Sequence, residues 1–209
     1  MKISVDYVLM GRLIMAFLVV SLSACSHNSE PVQFYMLNAN SGGVVSPSIH
    51  DVVQGPVVGL GPIRIPEYLN RSQMIMAVTD NQYVFSEEHR WAERLDQNIS
   101  LALFKALPNQ LNTDRIVRYP WPQRQALDYQ VGIDILEFIV DENGQSRLIA
   151  QWFIKHNEQS VVDKRSTYQF PASTTDHGLM VAAQSQCLTK LGQEISENLR
   201  RLMVANSGK

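Results

Sequence analysis

Cysteine is nearly missing from this chain, which holds only Cys25 and Cys187 among 209 residues. Two such distant thiols cannot form a paired C-x-x-C motif for zinc or redox chemistry. Positive charge is not in excess either. Lys and Arg number 18 against 20 Asp and Glu, for a net charge of −2, so the basic stripe that nucleic acid requires is absent and no nucleic-acid partner is expected. The apolar run from Leu13 to Leu22 is about half of the ~20 residues that cross a bilayer as a helix, which excludes a spanning anchor there. No G-x-x-x-x-G-K-[ST], G-x-S-x-G or H-E-x-x-H occurs, so a phosphate loop, a nucleophile elbow and a zinc-protease helix are all missing. The five histidines, His27, His50, His89, His156 and His177, fall in turns and polar runs, and no spacing sets two on one helical face. Glu87-Glu88-His89 lacks a second ligand set and reads as a solvated, charged approach to a helix. The expectation is a protein with no catalytic residue, no metal and no cofactor.

What the chain does have begins at Leu22-Ser23-Ala24-Cys25. Small residues before a cysteine form a lipobox, in which the thiol takes a diacylglyceryl group and then becomes the first mature residue. The stretch before it fits a signal peptide over residues 1–24: Lys2 and Arg12 supply positive charge ahead of the apolar run. The stretch from Met10 makes the more compact leader, with Arg12 as its charge, and suggests a start of translation there. Each buried CH2 contributes ~0.8 kcal/mol, so the two or three acyl chains on Cys25 would make release from the membrane negligible. Ser26 rather than Asp at the second mature position follows the general sorting pattern of bacterial lipoproteins destined for the outer membrane. Residues 25–31 then form a lipidated tether, which at ~3.3 Å per residue reaches at most roughly 20 Å beyond the cysteine.

The remainder, residues 32–205, is long enough for one core and reads as a single domain, with a polar tail at 206–209. Gln33 to Leu37 is a short strand, followed by a Gly, Ser and Pro loop to about Gln54. Two extended runs, ending at Ile65 and resuming at Gln73, flank a turn at Pro66-Glu67-Tyr68-Leu69. After Tyr83-Val84-Phe85 the charged stretch from Glu87 leads into a helix, on which Leu95, Ile99, Leu103 and Leu107 recur every fourth residue up to Pro108. Arg115 to Arg118 is a brief strand. A meander follows from Asp128 to Val140, Ser146 to His156 and Val161 to Phe170, with Asn143-Gly144 as its first turn. The apolar phase of its first run switches at Leu136, so a bulge is expected there. Ser173 to Asp176 caps a long C-terminal helix bearing Leu188, Leu191, Ile195 and Leu202, and Arg200 and Arg201 are placed to complement its dipole. Cys187 falls in that helix as a small core residue. The fold class is α+β: a mixed, mostly antiparallel sheet with two main amphipathic helices on one face.

Two blocks carry more than composition. Gly61-Pro62-Ile63-Arg64-Ile65-Pro66-Glu67-Tyr68-Leu69-Asn70-Arg71 resembles the V-x-[LI]-P-x-Y-L-[DN]-R block of the ABC-type transport auxiliary lipoproteins, and Arg90-Trp91-Ala92-Glu93-Arg94-Leu95 is similar to their R-W-A-E-x-L block. Tyr35-Met36-Leu37 and Tyr119-Pro120-Trp121 resemble weaker elements of the same pattern, while Arg94 stands where a small or polar residue is common. The resemblance implies a non-enzymatic, outer-membrane lipoprotein of an intermembrane lipid transport machine. Its implied partner is an MCE-domain protein anchored in the inner membrane and bridging the periplasm, and a homo-oligomeric ring would match a ring-shaped partner. A stand-alone periplasmic lipid carrier is the alternative. Read as residues, Pro66, Glu67, Tyr68, Leu69 and Arg71 are candidates for a partner surface because they lie on a proline turn. Arg90, Trp91, Glu93 and Leu95 read as a structural signature, with an Arg71–Glu93 ion pair fastening the helix start to the sheet.

Overall fold

The computed structural model describes residues 31–39, 55–111, 113–122 and 124–207, together with residues 10 and 12. Cys25 and all of the expected signal peptide apart from residues 10 and 12 lie outside this set, as do His27 and His50. The chain divides into Met1–Pro31 and Val32–Lys209, and every element below belongs to the second unit. These are β1 (Gln33–Tyr35), β2 (Val58–Arg64), a 3-10 turn (Glu67–Leu69), β3 (Gln73–Thr79), β4 (Gln82–Trp91), α1 (Leu95–Leu111), β5 (Ile116–Arg118), β6 (Tyr129–Val140), β7 (Gln145–His156), β8 (Gln159–Pro171) and α2 (His177–Ser207).

β6 organises the sheet. One of its edges is paired along the whole length with β7, which in turn pairs with β8, and both ladders are antiparallel. Its other edge is shared. β2 runs parallel to the first half, Val58 opposite Tyr129 and Arg64 opposite Asp134, and carries β5 on its far side. β3 meets the end of β6 through Met76 and Val140, then pairs antiparallel with β4, and β1 adds to β4 in parallel. Among the described residues this makes one mixed, eight-stranded sheet whose longest ladders are antiparallel. The expected bulge is present, with the β6/β7 register shifting between Ile135 and Glu137 and leaving Leu136 exposed. The first meander turn forms because Gly144 supplies φ +69° while Asp141 Oδ1 accepts from the amides of Asn143 and Gln145.

Alternation decides which face is covered. Ser146, Leu148, Ala150, Trp152 and Ile154 of β7 are fully buried on the side where Cys187 of α2 approaches Ser146 Oγ at 3.6 Å. The intervening residues point to the opposite, open face. α1 contributes Leu95, Ile99, Leu103 and Leu107 to the same core, and α2 contributes Leu188, Leu191, Ile195 and Leu199, all at most 1 % exposed. Asp176 caps α2 by accepting from the Leu179 amide at 3.0 Å. Among the described residues no helix is long and apolar enough to cross a membrane.

Glu87 to Trp91 leads into α1 as the end of β4, because pairing with β1 and β3 captures Arg90 and Trp91 in the ladder and the helix opens at Leu95. Two local expectations are corrected. α2 runs on to Ser207, so Arg200 and Arg201 stand before its last turn and act little on its terminus. Asn206 belongs to the helix and donates to the Tyr129 hydroxyl at 2.9 Å instead of starting a tail.

Candidate functional site

The first block folds as the end of β2 followed by a tight turn. Pro66, with φ −59° and ψ 150°, directs the chain into the 3-10 turn, which closes through Leu69 N to Pro66 O at 3.0 Å. The turn sorts its own residues. Leu69 is 3 % exposed and joins the core, so this expected partner residue is withdrawn from the surface and instead pins the turn in place. Pro66 and Tyr68 are half-buried, and Glu67 and Arg71 are exposed.

Tyr68 stacks on Tyr83 of β4 with centroids 5.3 Å apart. Burial, reinforced by Tyr83 and the Glu137 carboxylate and opposed by Arg147, pushes its hydroxyl up to about 12. Glu137 and Arg147 form an ion pair across β6 and β7. Arg147 alternates with the buried Ser146 and Leu148, which sets this pair on the open face of the sheet. Arg71 does not bond to Glu93. Its guanidinium lies 4.9 Å over the Phe85 ring, a cation–π contact between neighbouring elements where an ion pair was expected. The turn and the β3–β4 hairpin thus present one patch: Glu67, Tyr68, Arg71, and the exposed Tyr83 and Phe85, whereas Val84 between them alternates to the other face of the strand.

The second block splits between core and surface. Trp91 ends β4 at 5 % exposure, with its amide donating to Ser72 O at 2.7 Å. The Ala92 amide donates to Tyr35 O at 3.0 Å, so this corner joins β1, β3 and β4. Leu95 opens α1 and is 1 % exposed. Arg90 bonds back to Glu87, and Arg94 is held by Asp96 through two 3.1 Å bonds. Glu93 is exposed on a shallow open groove with Arg94, Gln97, Leu101 and Arg118.

Sequence spacing did not find the pair of histidines that the fold assembles. The His89 and His177 rings stack with centroids 3.6 Å apart, and Tyr35 flanks His89 at 5.8 Å. They lie on different elements far apart in the chain, so no motif could have announced them. Stacked rings keep their nitrogens in two nearly parallel planes, so their lone pairs do not converge on a shared centre, and among the described residues no group of three or more His, Cys, Asp or Glu is placed to hold a metal ion. Tyr83 and Phe85 were equally unassigned, although an apolar triplet directly after a turn was a visible signal. Cys187 is fully buried as expected, and burial pushes its thiol up.

The family model described as the ABC-type transport auxiliary lipoprotein component matches residues 35–196, a span that includes both blocks. The chain is 20 % identical over 183 residues to the intermembrane transport lipoprotein PqiC of Escherichia coli (strain K12), covering 87 % of this chain and 93 % of PqiC. PqiC of Shigella flexneri gives the same values. Among solved structures, protein XCC0632 from Xanthomonas campestris superposes with a TM-score of 0.68 at 16 % identity, covering 85 % of this chain and 100 % of that one. The likeness to that structure concerns the fold.

Proposed function

The chain belongs to the ABC-type transport auxiliary lipoprotein component family, and on that premise we propose that it is the outer-membrane-anchored subunit of an intermembrane phospholipid transport system. A diacylglyceryl thioether on Cys25 holds it on the periplasmic face of the outer membrane. The Pro66–Arg71 turn, with Tyr83 and Phe85, docks an MCE-domain protein that is anchored in the inner membrane and bridges the periplasm, so that lipid passes without crossing water. A ring of several copies would suit a ring-shaped partner. Membership supplies the coarser part outright: a lipoprotein component of a transport system, in a family that is not one of enzymes. The name of PqiC as an intermembrane transport lipoprotein supports the finer part.

The observation that carries the docking assignment is the patch itself. Tyr68, Tyr83, Phe85 and Arg71 are the residue types that dominate binding energy at protein interfaces, and they are gathered on the open face while the helices cover the other. A stand-alone carrier would need an acyl-sized space between sheet and helices. That layer is occupied by Leu60, Leu103, Leu107, Val131, Trp152 and Leu188, all fully buried.

Photo-crosslinking tests the proposal. A benzophenone amino acid placed at Glu67 or Arg71 of the full-length lipoprotein, irradiated in intact envelopes, should yield an adduct with an MCE-domain protein. The same group at exposed Val161 should not. Adducts at Val161 alone, or none with such a protein from either patch position, would refute the docking assignment.

A further inference from the structure

β1 is the edge strand through which the tether joins the sheet, and its two sides differ. Gln33 and Tyr35 turn one way, where the Tyr35 hydroxyl donates to Gln33 Oε1 at 2.7 Å and the ring stacks on His89. The alternate positions, Val32, Phe34 and Met36, are 42, 65 and 38 % exposed. A phenylalanine two-thirds in water on an edge strand invites an occupant.

Resting on the anchoring reading above, we infer that the Val32–Phe34–Met36 side of β1 seats in the headgroup and upper acyl region of the membrane that holds Cys25. Tether length selects this occupant. Val32 follows Cys25 by seven residues, which at ~3.3–3.6 Å each keeps it within about 25 Å of the lipidated sulfur. The other exposed apolar residues of the described domain, Tyr83 to Phe85 on the β3–β4 hairpin, Tyr119, Leu136, Val161 on β8, and Leu179 and Val204 on α2, have no such short link to the anchor. The chemistry agrees. Arg90 lies directly beside Phe34 in the β1/β4 register and is about one-third exposed, which places a guanidinium at phosphate level next to an aromatic ring, a pairing suited to a membrane interface. Glu87, which bonds Arg90 at 3.5 Å, and the exposed Glu88 offset that charge. The side is therefore matched to zwitterionic headgroups rather than to a strongly anionic surface.

The test uses the full-length lipidated chain in vesicles of phosphatidylcholine and phosphatidylethanolamine. Phe34→Cys introduces a selectively labelled thiol, because lipid occupies Cys25 and Cys187 is fully buried, and Val161→Cys serves as the comparison position. An environment-sensitive dye at position 34 should emit to the blue and be quenched by brominated lipids, most strongly when the bromines lie near the glycerol end. The dye at position 161 should remain water-like and unquenched. A vesicle-bound protein whose dye at 34 stays water-like would overturn the inference. So would a blue-shifted dye that lipid bromines do not quench, since protein would then cover the strand, or equal quenching at both positions. Failure of the lipidated chain to float with vesicles would be a different result, removing the anchor and this inference with it.

Discussion

Glu194 of α2 ends a series of hydrogen bonds that begins at Trp152, the largest fully buried side chain of the core. Trp152 Nε1 donates to Ser166 Oγ at 3.1 Å, and Ser166 Oγ donates to Glu194 at 2.7 Å. Tyr168 and Lys164 donate to the same carboxylate. Burial alone would raise the Glu194 pKa, but the bonds from Tyr168, Ser166 and Lys164 and the Lys164 charge outweigh it, and the carboxyl is held below its ordinary value. A depressed carboxyl contributes stability above the unfolded value, and that stability is lost as pH falls through the folded one. Glu194→Gln should therefore flatten the loss of stability below about pH 5. Glu194→Ala, which strands the Ser166 and Tyr168 donors, should cost roughly 1–3 kcal/mol at neutral pH. Urea midpoints measured across this range check both, and an acid slope in Glu194→Gln as steep as that of the wild type would sink the assignment.

At the scale of elements, the legible parts were those whose signal is local. The four-residue recurrence of Leu95, Ile99, Leu103 and Leu107 marked α1, the phase switch at Leu136 marked the bulge, and Asn143-Gly144 marked the hairpin. The rest stayed hidden where pairing from a distance decides the outcome. Nothing near Glu87 reveals that β1 and β3 will hold Arg90 and Trp91 in a strand, or that Phe85 rather than Glu93 will receive Arg71. Within the candidate site, the turn was readable and the β3–β4 aromatics that complete it were not. The β6/β7 pair offers a measurable case of such non-local fit. A Cβ at Gly132 would lie 2.1–2.9 Å from three ring atoms of Phe153, so this glycine is set by a ring on the neighbouring strand rather than by its own backbone. Gly132→Ala should cost about 1–3 kcal/mol through displacement of the ring. Most of that cost should vanish in a Phe153→Ala background, because the two residues share one volume. Additive costs in the double-mutant cycle would show that Phe153 is not the obstacle.

For the whole molecule, the corner where β1, β4 and α2 meet links the first strand of the domain to its C-terminal helix. His177 opens α2 and stacks on His89, which lies against Tyr35 of β1, so three elements distant in sequence meet through aromatic rings. The charges facing His177 are His89 and Glu88 from β4 and Asp176 from its own cap, while Ser86 Oγ bonds His89 Nδ1 at 3.2 Å. Burial and the neighbouring imidazole together outweigh the two carboxylates and hold His177 below its ordinary value. Because the unfolded imidazole then takes up its proton first, the contribution is complete above about pH 6.5 and is lost as pH falls through that value toward the folded one. This window opens at higher pH than the one governed by Glu194, so the two begin at different points of one titration. The wild type should start to lose stability as pH falls through about 6.5, and His177→Gln, which cannot titrate there, should lose less, with both variants showing the further decline of the Glu194 window below it. The protection factor of the Ala92 amide, which bonds Tyr35 O, should fall as pH drops through the upper window in the wild type, since that bond holds β1 to the corner. If the upper slope survives His177→Gln undiminished, the stacked pair does not couple protonation to the seating of β1.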